Sequence, residues 1–224
     1  MGITKFCVHP KEWSENKIRI GGTKALHIEK IKELKPDLII ANKEENVKDQ
    51  IEELALNFPV WLTEVCNLQD ATQMIEDIGH LTQKQKEAAQ VISQIQHSFD
   101  GLKYHEEKIP SAYLIWKKPY MTAGSDTFIH DMMHKAGFEN VFASKKRYPE
   151  ITIEDLKNSG CKIVLLSSEP YPFKEKHIQE IECELPGVKA IVVDGEMFSW
   201  YGSRLLSAPP YFNKLYGQCR QSVS

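Results

Sequence analysis

The sequence predicts an α/β protein of two lobes with parallel-type sheets, joined by a single long helix, with a ligand cleft between the lobes. Three observations carry this. First, Ile28-Glu29-Lys30-Ile31-Lys32-Glu33-Leu34-Lys35-Pro36-Asp37-Leu38-Ile39-Ile40 aligns without a gap onto Ile153-Glu154-Asp155-Leu156-Lys157-Asn158-Ser159-Gly160-Cys161-Lys162-Ile163-Val164-Leu165. Both copies read as helix, breaker and apolar strand, and an acid follows at the same offset, Glu44 and Glu169. Two lobes of like construction leave a cleft where a ligand can sit. Second, apolar segments come in the order strand, helix, strand, which favours a parallel lobe. Third, a long amphipathic stretch without proline separates the two copies.

In chain order, Gly21-Gly22 breaks the chain before a helix from about Ile28 to Leu34, which Pro36 stops. Leu38-Ile39-Ile40 is apolar on both faces, as in a parallel strand covered by helices. A helix from about Val47 to Leu56 leads to a second strand, Pro59-Val60-Trp61-Leu62, which makes Trp61 a core residue. Asn67 or Asp70 can cap the next helix, which turns Met74, Ile75 and Ile78 inward and loosens at Gly79. From Thr82 to Lys103, Ala88, Val91, Ile92, Ile95, Phe99 and Leu102 recur at helical spacing. At about 1.5 Å per residue this helix is roughly 33 Å long, enough to act as a stiff spine.

Beyond Pro110, Ala112 to Trp116 reads as a strand that ends in a loop from Lys117 to Ser125. Asp126 is positioned to cap a helix that runs through Lys135, and Gly137 ends it. The repeated unit follows, then a polar loop with Pro170 and Pro172, a helix with Ile178 and Ile181, and the strand Ala190-Ile191-Val192-Val193. Pro209 and Pro210 fall near the start of a last helix. The resulting division is an N-terminal lobe 1–81, a connecting helix 82–103 and a C-terminal lobe 104–224.

The composition is that of an ordinary globular chain, and a net charge of −3 without a basic run argues against nucleic acid as a partner. No apolar stretch spans a bilayer. The five cysteines are scattered without a C-x-x-C, so neither a zinc knuckle nor a disulfide framework is signalled, and Cys161 reads as a small buried residue. The Met1 end carries no signal peptide or lipidation motif. Nucleophile-elbow, Walker, H-E-x-x-H and G-x-G-x-x-G signatures are missing. His130 and His134 stand one helical turn apart, a metal-compatible spacing without a third ligand, so exposed helix histidines are the expectation.

Aromatic residues are the more telling signal. Ligands of α/β lobes collect outside the carboxyl ends of the strands. Phe6, His9 and Trp13 follow a possible strand remnant, Trp116 and Tyr120 follow another strand, and Phe198, Trp200 and Tyr201 follow the last. Such loops suit a large, flat, partly apolar ligand, with Phe198 expected in the core.

Several motifs in order resemble one family. They are Gly2-Ile3-Thr4-Lys5-Phe6-Cys7-Val8-His9-Pro10; Gly21-Gly22 followed by Ile28-Glu29 and Leu34-Lys35-Pro36-Asp37-Leu38-Ile39-Ile40; the 82–103 helix; Pro119-Tyr120-Met121-Thr122-Ala123-Gly124; and Gly137-Phe138-Glu139-Asn140-Val141-Phe142. The chain resembles the substrate-binding proteins of ABC importers for vitamin B12, haem and ferric siderophores, the helical-backbone class, most of all its vitamin B12-binding branch. The resemblance implies two Rossmann-like lobes, no enzymatic activity and no cofactor. It implies a monomer that carries a cobalamin or corrinoid, or a haem or ferric siderophore, to a membrane permease. Phe6, His9, Trp13, Trp116, Tyr120, Trp200, Tyr201 and Arg204 are the expected ligand contacts. The expected permease-docking acids are Asp70 and Glu196. The family begins with a strand, a helix and an export signal ahead of the point where Met1 stands, so the resemblance implies a late start and a place outside the cytoplasm, periplasmic or membrane-tethered. The alternatives are a cytoplasmic two-lobed enzyme of the metal-chelatase type and a non-exported interaction module.

Overall fold

The computed structural model describes residues 1–223. Contacts divide the chain into two units, Met1–Glu64 and a second that begins at Val65. Residues 65–81, assigned from sequence to the first lobe, group with the second unit.

The first unit runs β1 (Gly2–Ile3), α1 (Lys11–Asn16), β2 (Ile18–Arg19), α2 (Ile28–Leu34), β3 (Ile39–Asn42), α3 (Lys48–Ala55) and β4 (Val60–Thr63). β1 pairs with β2 and β3 with β4, both in parallel, with Ile39 opposite Val60. α2 and α3 bury Ile31, Ile51 and Leu54. Ile40 and Leu62 each remain 50% exposed and Trp61 is half-buried. The expectation of a core Trp61 is therefore corrected. In a pair of only two strands each strand is an edge, and alternate side chains cannot all be covered.

The second unit opens with two helices, α4 (Leu68–Leu81) and α5 (Gln85–Asp100), separated by a short turn and packed on each other. At about 1.5 Å per residue α5 is roughly 24 Å long, shorter at both ends than the sequence pattern suggested. A Cβ at Gly79 would lie 2.5 Å from that of Ala88, so Gly79 permits close helix contact rather than loosening the helix end. α5 also packs on a 3-10 turn at Ser203–Leu206, where Ser98 Oγ donates to the Leu206 carbonyl at 3.1 Å.

Seven further elements build the sheet and its first cover: β5 (Ile109–Trp116), β6 (Tyr120–Thr122), α6 (Phe128–Lys135), β7 (Phe138–Asn140), β8 (Glu150–Ile151), α7 (Ile153–Asn158) and β9 (Ile163–Ser167). Then come α8 (Glu175–Glu184), β10 (Lys189–Val193), α9 (Gly195–Ser199) and α10 (Ala208–Val223). The sheet order is β10-β9-β5-β6-β8, with β7 beside the start of β5. β10, β9, β5 and β7 pair in parallel, whereas β6 pairs antiparallel with both β5 and β8. Tyr120 thus lies in a strand and not in the expected loop. Thr122 Oγ1 donates to the Tyr113 carbonyl at 2.9 Å and helps secure the hairpin.

Alternation along the strands sorts the core into two layers. Tyr113, Ile163 and Leu165 face Phe128, Met132, Phe198 and Phe212; Ala112, Leu114, Val164 and Leu166 face Leu156, Phe173 and Ile181. A sheet covered on both faces reads as a near-continuous apolar run, as β9 does. Cys161 is buried as expected, and burial pushes its thiol up to about 11. Thr127, not Asp126, caps α6 and accepts from the His130 N–H. Asp126 instead accepts from the Arg147 N–H at 2.5 Å. Among the described residues no helix is long and apolar enough to cross a membrane.

Candidate ligand-binding site

The carboxyl ends of β10, β9 and β5 lie side by side in the second unit, and their following loops carry the most distinctive polar arrangement of the chain. Glu169 stands two residues beyond β9 and is half-buried. Its Oε1 accepts from Trp200 Nε1 at 2.7 Å and from Ser199 Oγ at 3.0 Å. The loop is held from beneath: Tyr113 Oη donates to Ser167 Oγ at 3.0 Å, and Ser167 Oγ donates to the Glu169 carbonyl at 2.5 Å. A Cβ at Gly195 would come within 2.6 Å of Glu169 Cγ, so only glycine leaves room for this side chain. Burial holds the Glu169 carboxyl above the usual carboxylate range; its two hydrogen bonds oppose that shift, and the nearby Glu196 and Asp194 add to it.

Aromatic rings stand in the loops after these strands. On the β5 side, Trp116 is 40% exposed and meets Tyr171 edge-on, with ring centroids 5.6 Å apart at 71°. On the β10 side stands Trp200. Tyr201 leans edge-on against the buried Phe128 at 5.3 Å, which anchors it partly in the core. Phe198 is fully buried, as expected. Tyr120 is half-buried in β6.

Glu196 and Arg204 form an ion pair with each other, although the sequence assigned one to permease docking and the other to ligand. Asp70 Oδ2 accepts from the Cys66 N–H at 2.9 Å, and Asn67 caps α4 by accepting from the Asp70 N–H. This exchange makes Asp70 part of the helix start. His130 and His134 go to different neighbours. His130 Nδ1 lies 3.2 Å from Asn140 Nδ2, while His134 Nε2 contacts Lys108 Nζ. Burial lowers the pKa of both histidines. Among the described residues no group of three or more His, Cys, Asp or Glu side chains could hold a metal ion.

In the first unit Phe6, His9 and Trp13 occupy one exposed segment after β1. Arg19 braces it: its guanidinium donates to the Thr4 and Ser14 carbonyls, each at 2.7 Å, and to Ser14 Oγ at 2.7 Å. Lys5 Nζ sits 5.1 Å above the Phe6 ring. Trp13, on α1, is 48% exposed and Phe6 is 55% exposed, an unusual concentration of aromatic surface.

The family model for periplasmic binding proteins matches residues 1–190. The chain belongs to the periplasmic binding protein family. Among curated relatives of this periplasmic binding protein, the vitamin B12-binding protein of Vibrio parahaemolyticus is 24% identical over 161 residues, covering 70% of this chain and 58% of that protein. The vitamin B12-binding protein of Pectobacterium carotovorum is 23% identical over 197 residues, covering 85% of this chain and 71% of the relative. The chain thus spans only part of these proteins. Among solved structures, the periplasmic heme-binding protein BhuT in complex with two hemes superposes with a TM-score of 0.80 at 16% identity, covering 100% of this chain and 89% of its own. The vitamin B12-binding protein BtuF of Vibrio cholerae gives 0.76 at 19% identity, covering 98% and 89%. These likenesses establish the fold.

In this periplasmic binding protein, sequence reasoning picked out the rings of the β5 and β10 loops but missed Tyr171, Ser199 and Gly195 as partners of the site, and Arg19 as the brace of the first-unit loop. Glu169 was visible as the acid that follows the second copy of the repeat. Nothing in the repeat pointed to its bond with Trp200, which joins residues far apart in sequence.

Proposed function

We propose that this chain is the ligand-binding component of an ABC importer. It takes a cobalamin or related corrinoid, with haem or a ferric siderophore as neighbouring possibilities, and delivers it to a membrane permease from outside the cytoplasm. It makes and breaks no covalent bond. The observation that carries this is the ring set in the loops at the carboxyl edge of the second unit's sheet: the exposed Trp116 against a half-buried Tyr171, and a half-buried Trp200 bonded to Glu169. Rings of this kind supply large contact area at low entropic cost to a flat ligand. Family membership and the B12- and heme-binding names of similar proteins support the same class.

Phe6, His9 and Trp13 of the first unit are proposed as further ligand contacts, with Tyr120 and Tyr201 at the margin of the second-unit set. Asp70 and Glu196 are proposed to meet basic residues of the permease. For Glu196 this requires that its pairing with Arg204 be shared or exchanged. Titration of the purified chain with cyanocobalamin, haemin and zinc chloride tests the proposal. The expected order places a corrinoid or tetrapyrrole well ahead of the bare metal. Zinc binding that is tighter than either, and lost in a His130→Ala, His134→Ala double variant, would overturn it.

A further inference from the structure

A half-buried carboxylate with only neutral hydrogen-bond partners is an uncomfortable group, and the loop geometry around Glu169 keeps it that way. Both of its donors, Trp200 Nε1–H and Ser199 Oγ–H, reach the same oxygen, Oε1. Among the described residues no hydrogen bond or ion pair engages Oε2, which keeps access to solvent and so to a ligand. The charges that press on the carboxyl most strongly are other acids, Glu196 and Asp194. Asp194 is turned to the Glu196 N–H at 3.1 Å, Arg204 pairs with Glu196, and Lys117 pairs with Glu180. Gly195 provides the space that holds Glu169 in place. Such cost is retained where it serves recognition.

We propose that Glu169 determines ligand specificity: its Oε2 accepts from N–H donors on the rim of the ligand and disfavours ligands whose rim carries carboxylates. Trp200, bonded to Glu169, and the rings of the neighbouring loop give a ligand's flat body a surface, and the carboxylate reads the rim. A corrinoid whose rim bears primary amides can donate to Oε2. A tetrapyrrole or corrinoid with free carboxylates brings like charge against Glu169, Asp194 and Glu196 in a poorly solvated place. The contact rests on the proposed function, because it presumes a corrinoid- or tetrapyrrole-class ligand at this edge.

The test compares dicyanocobinamide, whose rim carries amides, with dicyanocobyrinic acid, whose rim carries carboxylates on the same nucleotide-free dicyano corrin, on the whole wild-type chain and on Glu169→Gln. A hydrogen bond to a charged group contributes about 1.5–3 kcal/mol, so wild type should prefer the amide ligand by roughly tenfold or more. In Glu169→Gln, which can donate as well as accept, the preference should shrink about tenfold, chiefly because the carboxylated ligand binds better. Equal wild-type affinities, or a preference unchanged in a folded Glu169→Gln, would overturn the specificity role while leaving the binding function intact. Wild type that binds neither corrinoid nor haemin would overturn the binding function and the specificity role with it. If Glu169→Gln does not fold, the wild-type ratio alone decides.

Discussion

Replacing Trp200 by Phe keeps an aromatic ring, a smaller one, and deletes one donor, the Nε1–H that reaches Glu169 Oε1 at 2.7 Å. A hydrogen bond to an ionised group contributes about 1.5–3 kcal/mol, and partial solvent access at this edge brings the expectation to about 1–2 kcal/mol at pH 7. For a chain of this size each kcal/mol moves the melting temperature by about 2–4 °C. Trp200→Phe should therefore melt a few degrees below wild type at pH 7. The loss should shrink near pH 4, where a protonated Glu169 accepts a weaker bond. Thermal melts at the two pH values, repeated in a Glu169→Gln background, provide the assay. There the same ring change should cost less, because the bond it removes is no longer charge-assisted. Equal losses in both backgrounds and at both pH values would refute the role given to this bond, and the defect would then be one of ring packing alone.

Glu169→Gln should raise the melting temperature at pH 7 and match wild type at low pH. Burial lifts the folded-state carboxyl above its unfolded value, so wild type loses stability as the pH rises from the unfolded value through the folded one. Melts across that window check the sign, and a variant less stable than wild type at pH 7 would contradict it. Phe198→Ala should cost about 3–5 kcal/mol, because the ring is fully buried with Phe212 and Tyr113 at 4.8 and 5.0 Å. Trp116→Ala, at an exposed position, should change stability by under about 1 kcal/mol while weakening ligand binding by about 1–3 kcal/mol. Chemical denaturation paired with ligand titration separates the two cases, and a Trp116→Ala variant that unfolds with unaltered binding would reverse the assignment.

Much of the second unit was legible because its elements follow one period at a time. The run Ile163-Val164-Leu165-Leu166 is apolar throughout since both sheet faces are covered, and the α5 stripe repeats at helical spacing. The short strands were not legible. β6 and β8 are two or three residues long and owe their pairing to each other and to β5, so local sequence carries little of the signal. Trp61 misled for the same reason, since burial of a strand depends on neighbours its own sequence does not contain. At the candidate site the rings announced themselves by type and by position after strands. The Glu169–Trp200 bond, the Gly195 cradle and the Arg19 brace each join residues that only the folded chain brings together.

The central claim, that this chain binds a flat corrinoid or tetrapyrrole on the rings that follow its strands, is met most directly by isothermal titration of the whole chain with cyanocobalamin. Tryptophan fluorescence should be recorded in parallel on wild type, Trp116→Ala and Trp200→Phe. Saturable one-to-one binding, with wild-type quenching that is reduced in both variants, is the predicted result. No heat and no quenching with cyanocobalamin, haemin or a ferric siderophore would contradict it.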